Sequence, residues 1–216
     1  MFNSTIVQKV VIGLSGLALC GFLVAHLAGN LLIYLPEGNY EAYNEYAHAL
    51  HANPLLPVAE IVLYIFFLAH IAITIRAVLA NRAARPDGYA VKRSKRGKSA
   101  VTPHNVMHVT GLVVLAFLVL HLLDLRFDVR FPASAYAEPS DRALAVLTDP
   151  LSAGLYTVGS LLLGYHLWHG FQSGFQTLGA QHPRVTPALK TLGIVFAIVV
   201  AVGFASFPVW GFFFSR

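Results

Sequence analysis

Charged residues and cysteine are both scarce in this sequence. Only 12% of the 216 residues are Asp, Glu, Lys or Arg, while 56% are hydrophobic and the mean hydropathy is +0.64. A soluble domain carries about twice that share of charge. With one cysteine, Cys20, the chain cannot form an internal disulfide. The composition therefore excludes an ordinary soluble domain and a disulfide-stapled fold, and Cys20 is expected to be a small core residue.

Long apolar windows are what the sequence has in abundance. A helix needs about 20 apolar residues to cross a bilayer, and five such windows occur, at roughly 9–35, 57–80, 103–125, 150–174 and 187–214. The first window is longer than the apolar core of a cleaved signal peptide. The sequence predicts an all-α integral membrane bundle of five transmembrane helices, which forms a single domain over residues 1–216.

The few charged residues are unevenly distributed between the loops that connect the predicted spans. Residues 76–98 are rich in Lys and Arg and hold one acid, Asp87, whereas residues 35–57 hold three Glu and no Lys or Arg. The positive-inside rule then predicts that the N-terminus, the second loop and the fourth loop lie in the cytoplasm. The net charge of +5 is accordingly a signal of topology and of contact with membrane lipid, and no nucleic-acid partner is expected.

Histidine is the one ionisable residue that enters the predicted spans repeatedly. Ionisable side chains inside a bilayer are rare and mark functional sites, and Asp, Glu, Lys and Arg are almost missing from the span interiors. One histidine lies deep in each of the first four spans, namely His26, His70, His121 and His166. Such a distribution is hard to obtain by chance.

The depths of these four histidines fall into two groups. Counted from the cytoplasmic end of each span at about 1.5 Å per residue, His26 and His121 lie about 25 and 27 Å up. His70 and His166 lie about 15 and 12 Å up. Two histidines at matched depth on facing helices are what a bis-histidine haem requires. The sequence therefore predicts an outer pair and an inner pair, each holding one haem. No C-x-x-C-H pattern for covalent attachment is present, so the haems would be of b type.

Other interpretations of these histidines exist. A lone buried histidine is more often a hydrogen-bonded core residue, and four of them could form a proton relay in a transporter. A relay usually recruits carboxylates, and Glu60 at the edge of the second span is the one near candidate. Haem ligation is the favoured interpretation. Near the cytoplasmic ends, His108 and Arg76 are then candidates for hydrogen bonds to the propionates of the inner haem.

Four segments together resemble a known family. They are "GFLVAHLAGNLL" around His26, "FFLAHIAITIRAVLANRAARP" around His70, "FLVLHLLDLRF" around His121 and "GYHLWHGFQSGFQTLG" around His166. The chain resembles, over essentially its whole length, the five-helix, di-haem cytochrome b membrane anchor of succinate dehydrogenase and fumarate reductase. The motifs are specific in combination, although each alone would be weak.

The resemblance implies a function and a set of partners. It implies an electron-transfer subunit in the bacterial cytoplasmic membrane that anchors a flavoprotein and an iron–sulfur subunit and carries no succinate-oxidising site itself. Electrons would pass through the inner haem (His70, His166) and the outer haem (His26, His121), with these residues as the ligands of the haem iron. The acceptor would be a membrane quinone, which in this type is usually menaquinone.

Two neighbours of the fourth-span ligand have their own interpretation. The resemblance places the ligand four residues before Gly170, at His166, so that His169 is left as a candidate propionate contact. Fumarate reductases of this family that use a transmembrane proton path carry a Glu two residues before the ligand, and this chain has Gly164 there. The alternatives are a di-haem cytochrome b subunit of a membrane hydrogenase or formate dehydrogenase, and a proton-coupled transporter with a histidine relay.

Overall fold

A computed structural model describes residues 4–35, 37–84 and 103–215, and these residues form helices and connecting turns without any strand. The helices are α1 (Thr5–Asn30), α2 (Glu37–Ala52), α3 (Leu56–Ala83), α4 (Pro103–Leu125), α5 (Pro139–Thr148), α6 (Pro150–Thr177) and α7 (Thr186–Phe214). Short 3₁₀ turns occupy Leu31–Tyr34 and Ala133–Ala135. The all-α prediction is confirmed for this part of the chain.

Four of the described helices are long and apolar enough to cross a membrane, namely α1 with its 3₁₀ extension, α3, α4 and α7. The fourth predicted span corresponds to α6, which qualifies only together with α5, from which it is bent by 87°. Serine, histidine and glutamine residues make α6 less apolar than the other long helices. The described residues therefore give four candidate spans, or five if the bent pair counts as one.

The bend between α5 and α6 follows from Pro150. The residue before a proline is pushed out of the helical region, and Asp149 has an extended backbone with φ −68° and ψ 123°. Proline is also well suited to the first turn of a helix, so the same residue that ends α5 begins α6. The Asp149 carboxylate caps α6 by accepting a hydrogen bond of 2.8 Å from the Ser152 amide. That hydrogen bond lowers the pKa of Asp149 below its usual value.

Helix α6 is the centre of the bundle. It packs along α7 most extensively and also against α4 and α1, whereas α3 packs mainly on α1. Among the described residues, α1 makes little or no backbone contact with α4, and the same holds for α3 with α6 and α3 with α4. A central apolar cluster contains Cys20, Leu167, Ala197 and Val200, so the expectation that Cys20 is a core residue is confirmed.

Gly164 marks the tightest part of the contact between α6 and α7. A Cβ atom at this position would lie 2.3 Å from the Cβ of Ala201 and 2.9 Å from the carbonyl oxygen of Ala197. Because α7 occupies the space in which a side chain would stand, a glutamate could not be accommodated here without displacing α7. The glycine that departs from the proton-path pattern is therefore required by helix packing.

Two short helices cover the outer end of the bundle. These are α2 and α5, and neither belongs to the five predicted spans. The two are joined by a hydrogen bond of 2.9 Å from the Ser140 amide to Asn44 Oδ1 and by a contact of 2.9 Å between His48 Nε2 and Glu138 Oε2. Most of the basic second loop lies outside the described residues, so the orientation stays a prediction.

The glycine contact predicts a stability difference within one helix. We expect Gly164→Ala to destabilise the fold by about 1–3 kcal/mol, the usual cost of overpacking a close contact. Gly154→Ala is the matched control, because a Cβ there meets nothing within 4 Å and alanine is the better helix former. Thermal unfolding in detergent should show a lower midpoint for Gly164→Ala alone. Equal midpoints for the two variants would contradict the packing argument.

Candidate functional site: two tiers of histidines

The outer pair of histidines comes together across the bundle. The ring centroids of His26 on α1 and His121 on α4 are 5.9 Å apart, and the ring planes are inclined at 83°. Two imidazoles that bind one metal from opposite sides through bonds of about 2 Å have ring centres about 6 Å apart. Each ring can rotate about its own metal–nitrogen bond, so the steep angle between the planes fits this arrangement.

Aromatic side chains surround the outer pair. Phe22 stacks on His26 with ring centroids 5.2 Å apart, and Phe204 of α7 lies 5.5 Å from the same ring. On the other side, Phe117 and Tyr156 lie 6.1 and 5.6 Å from the ring of His121. The Nδ1 atom of His121 is buried without a hydrogen-bond partner among the described residues. A neutral imidazole in this setting has a nitrogen available for a further ligand.

The inner histidine on α3 is held by α1. His70 Nδ1 lies 3.2 Å from the carbonyl oxygen of Ile12 and 3.2 Å from Ser15 Oγ. Ser15 itself donates its one hydroxyl hydrogen to the Val11 carbonyl, at 2.6 Å. Because a carbonyl oxygen only accepts, and this hydroxyl is already used as a donor, the proton between them and His70 must sit on Nδ1. The Nε2 atom of His70 therefore carries the free lone pair that a metal needs.

The inner histidine on α6 is held by α4 in the same way. His166 Nδ1 lies 3.2 Å from Thr110 Oγ1, and His166 is also hydrogen-bonded to the Met107 backbone. Thr110 donates its hydroxyl hydrogen to the Met107 carbonyl, at 3.0 Å. The same reasoning puts the proton of His166 on Nδ1 and leaves Nε2 with its lone pair. His70 lies near enough to His166 for the two rings to interact electrostatically.

Glycines allow both inner rings to approach the neighbouring helix. A Cβ atom at Gly16 would lie 3.1 Å from Cε1 of His70, and a Cβ atom at Gly111 would lie 3.2 Å from Cε1 of His166. These distances are shorter than most real contacts of a Cβ atom. Each inner imidazole therefore lies against a helix surface that a glycine keeps open.

The spacing along α1 and α4 sets the distance between the two tiers. Ser15 and His26 are 11 residues apart, which is a rise of about 16 Å and a rotation within about 20° of three full turns. Thr110 and His121 have the same separation on α4. One face of each helix thus contacts the inner pair at one level and carries an outer histidine about 16 Å further along.

The structure gives less information on the three residues predicted to contact haem propionates. Arg76 is exposed near the end of α3, and His108 is exposed on α4. His169 is partly buried, one turn beyond His166 and within electrostatic range of it. No described contact assigns any of these three to a propionate, so that role stays a prediction.

Glu60 has a structural partner. Arg126, directly after α4, donates two hydrogen bonds to its carboxylate, at 3.2 and 3.0 Å. The hydrogen bond to Glu60 raises the pKa of Arg126. The pair joins the outer ends of α3 and α4, which pack little on each other. The carboxylate considered for a proton relay is thus held in an ion pair with Arg126.

Among the described residues, no group of three or more His, Cys, Asp or Glu side chains is arranged to hold a metal ion by itself. The described residues instead place two histidines in each tier. Comparisons with family models, curated proteins and solved structures find no match to this chain.

An internal repeat is the signal that sequence reasoning missed. Residues 15–27, "SGLALCGFLVAHL", recur as residues 110–122, "TGLVVLAFLVLHL". The repeat aligns His26 with His121, and it also aligns Ser15 with Thr110. Comparing α1 with α4 in this register would have identified the hydroxyl residues that bind the inner histidines.

A buried polar cluster next to the outer pair was also missed. Asp124 is fully buried, and its Oδ2 accepts a hydrogen bond of 3.1 Å from the Tyr156 hydroxyl and lies 3.5 Å from Arg130. Arg130 also donates to Asp149 and Ser152, at 3.2 and 2.7 Å. Residues 124–149 hold five acids and three Arg, but the sequence could not show that one of these carboxylates is enclosed. Tyr156 connects this cluster with the ring of His121.

The cluster predicts unequal effects for two arginines. Breaking a buried ion pair leaves a charge without its partner, at a cost of about 3–5 kcal/mol. We expect Arg130→Gln to lose about 2–3 kcal/mol, because Tyr156 still donates to Asp124. Arg126→Gln is the control and should lose at most about 1 kcal/mol, since that pair is partly exposed. Unfolding in mixed micelles measures both, and equal losses would contradict the prediction.

Proposed function

We propose that this chain is the di-haem cytochrome b membrane anchor of a succinate dehydrogenase. In this proposal it passes electrons from an iron–sulfur subunit to a membrane quinone of the menaquinone class. A flavoprotein subunit would carry the succinate chemistry, and this chain would hold two b haems. The observation that carries the proposal is the presence of two histidine pairs, on diagonally placed helices, at two levels of one apolar bundle.

Each pair of histidines would hold one haem of b type. His26 with His121 would hold the outer group, and His70 with His166 would hold the inner one. Bound there, the haems would supply one-electron carriers at two depths in the membrane. Because each group would be held by two histidines, its role would be to carry electrons.

The residues of the chain have three tasks in this proposal. The hydroxyl and carbonyl groups of α1 and α4 keep the inner imidazoles in the tautomer whose Nε2 faces away from those helices. The rings of Phe22 and Phe117 pack against the outer imidazoles and exclude water from them. The ion pair of Glu60 with Arg126 connects α3 and α4 at their outer ends, where these two helices otherwise pack little on each other.

The family resemblance and the arrangement of histidines support the same assignment by different routes. The resemblance rests on short motifs around each histidine, whereas the arrangement rests on the contacts that the histidines make with other helices. A proton relay would need a chain of titratable groups between the two tiers. Glu60, the carboxylate considered for that purpose, is bonded to Arg126 instead.

Haem content tests the proposal. The purified complex should show the spectrum of reduced b haem, with two haems for each copy of this chain, and should contain flavin. A preparation without haem would eliminate the whole proposal. Haem together with nickel or molybdenum, and no flavin, would assign the chain to a hydrogenase or a formate dehydrogenase.

The pairing of ligands is tested by substitution. We expect His26→Ala and His121→Ala to remove the same spectral component, and His70→Ala and His166→Ala to remove the other. His169→Ala is the matched control, one turn further along α6, and should retain both components. If His26→Ala and His70→Ala removed the same spectral component, the assignment of histidines to the two tiers would be wrong.

A further inference from the structure

The repeated segments of α1 and α4 make matched contacts at two levels. At the outer level, Phe22 and Phe117 precede His26 and His121 by four residues, and each phenylalanine ring lies beside the histidine of its own helix. At the inner level, Ser15 and Thr110 contact the histidines of the neighbouring helices α3 and α6. The repeat therefore preserves both a histidine and a hydroxyl group 11 residues before it.

The inner contacts have the same chemical form in both halves. In each case the helix supplies a hydroxyl group and a backbone group three residues earlier, Ile12 with Ser15 and Met107 with Thr110. A glycine follows each hydroxyl residue, and its missing side chain admits the imidazole. Both hydroxyl residues are buried, at 2% and 7% exposure.

We propose that Ser15 and Thr110 are positioning residues for the inner pair, which fix the tautomer and ring orientation of His70 and His166 toward a shared metal centre. This inference rests on the proposed function, since the metal centre is the inner haem of that proposal. The two residues act through the histidines and do not contact the haem iron.

Helix structure alone does not account for the arrangement. A serine or threonine inside a helix satisfies its hydroxyl hydrogen by donating to a carbonyl one turn earlier, and both residues do so. That bond needs no partner from another helix and no adjacent glycine. The hydroxyl oxygen still has lone pairs, and in each half it accepts from the Nδ1–H of a histidine. The same contact is made with two different helices, α3 and α6, which indicates that Ser15 and Thr110 have the same role.

The expected consequence is electronic as well as geometric. A hydrogen-bond acceptor on Nδ1–H makes the imidazole a more basic ligand and fixes its orientation. A more basic ligand favours the oxidised metal, so removal of the acceptor should raise the reduction potential of the inner haem. The outer haem should not change, because its ligands do not contact Ser15 or Thr110.

The test is an optical redox titration of membranes that contain the full chain with its partner subunits. Thr110→Val removes the hydroxyl group and keeps the shape, while Thr110→Ser keeps the hydroxyl group. We expect Thr110→Val to shift the inner component upward by roughly tenfold in the reduction equilibrium, which is about 59 mV for a one-electron couple. Thr110→Ser should stay near wild type. The component lost in His166→Ala identifies the inner haem.

Thr157→Val on α6 is the matched control, because that hydroxyl donates to the Ala153 carbonyl at 2.7 Å. Loss of the inner component in Thr110→Val, with retention in Thr110→Ser, would also support the proposal. Unchanged potentials in Thr110→Val, or equal shifts in the Val, Ser and control variants, would overturn it. If wild-type membranes contain no b haem, the proposed function itself fails. Unchanged potentials or equal shifts would instead overturn only the role of Thr110.

A second variant covers the other half of the repeat. Ser15→Ala should shift the same component in the same direction, since His70 and His166 would share one centre. A shift of the outer component instead would overturn the assignment of Ser15 to the inner pair.

Discussion

An imidazole buried in an apolar bundle is costly unless its nitrogens have partners, and this constraint organises the structure around the inner pair. The carbonyl and hydroxyl groups of α1 and α4 accept from Nδ1–H, so one nitrogen of each ring is satisfied by protein. The other nitrogen then presents a lone pair. Helices α1 and α4 each provide that partner with a hydroxyl residue, and the glycine that follows it leaves room for the ring.

The outer pair meets the same constraint in a different way. His26 and His121 lie among aromatic rings, and the Nδ1 atom of His121 has no partner among the described residues. Asn30 Nδ2 lies 3.5 Å from His26 Nδ1, and on the other side Tyr156 connects the ring of His121 to Asp124 and Arg130. The two tiers thus offer similar ligands in unlike surroundings. Because such surroundings tune a metal centre, two groups bound there would differ in potential.

The sequence predicted the parts of the site that depend on one helix at a time. Counting 1.5 Å per residue along each span was enough to sort four histidines into two depths, because the rise of a helix is nearly constant. The partners of the inner rings depend on which helix lies beside which, and depth counting does not contain that information. Comparing α1 with α4 does contain it, since the repeat aligns Ser15 with Thr110. The helix α5 was missed because its ten residues are too short and too polar to resemble a span.

Gly164 shows how packing limits the chemistry of this bundle. The glycine lies two residues before His166, so a carboxylate there would be close to the inner pair. The position instead faces Ala197 and Ala201 of α7, where even one carbon atom would overlap the neighbouring helix. Helix α7 carries no histidine, and its contact with α6 supports the helix that holds His166. The same contact that supports His166 therefore leaves no room on α6 for a carboxylate two residues before it, and the proposed electron transfer would proceed without a proton acceptor at this position.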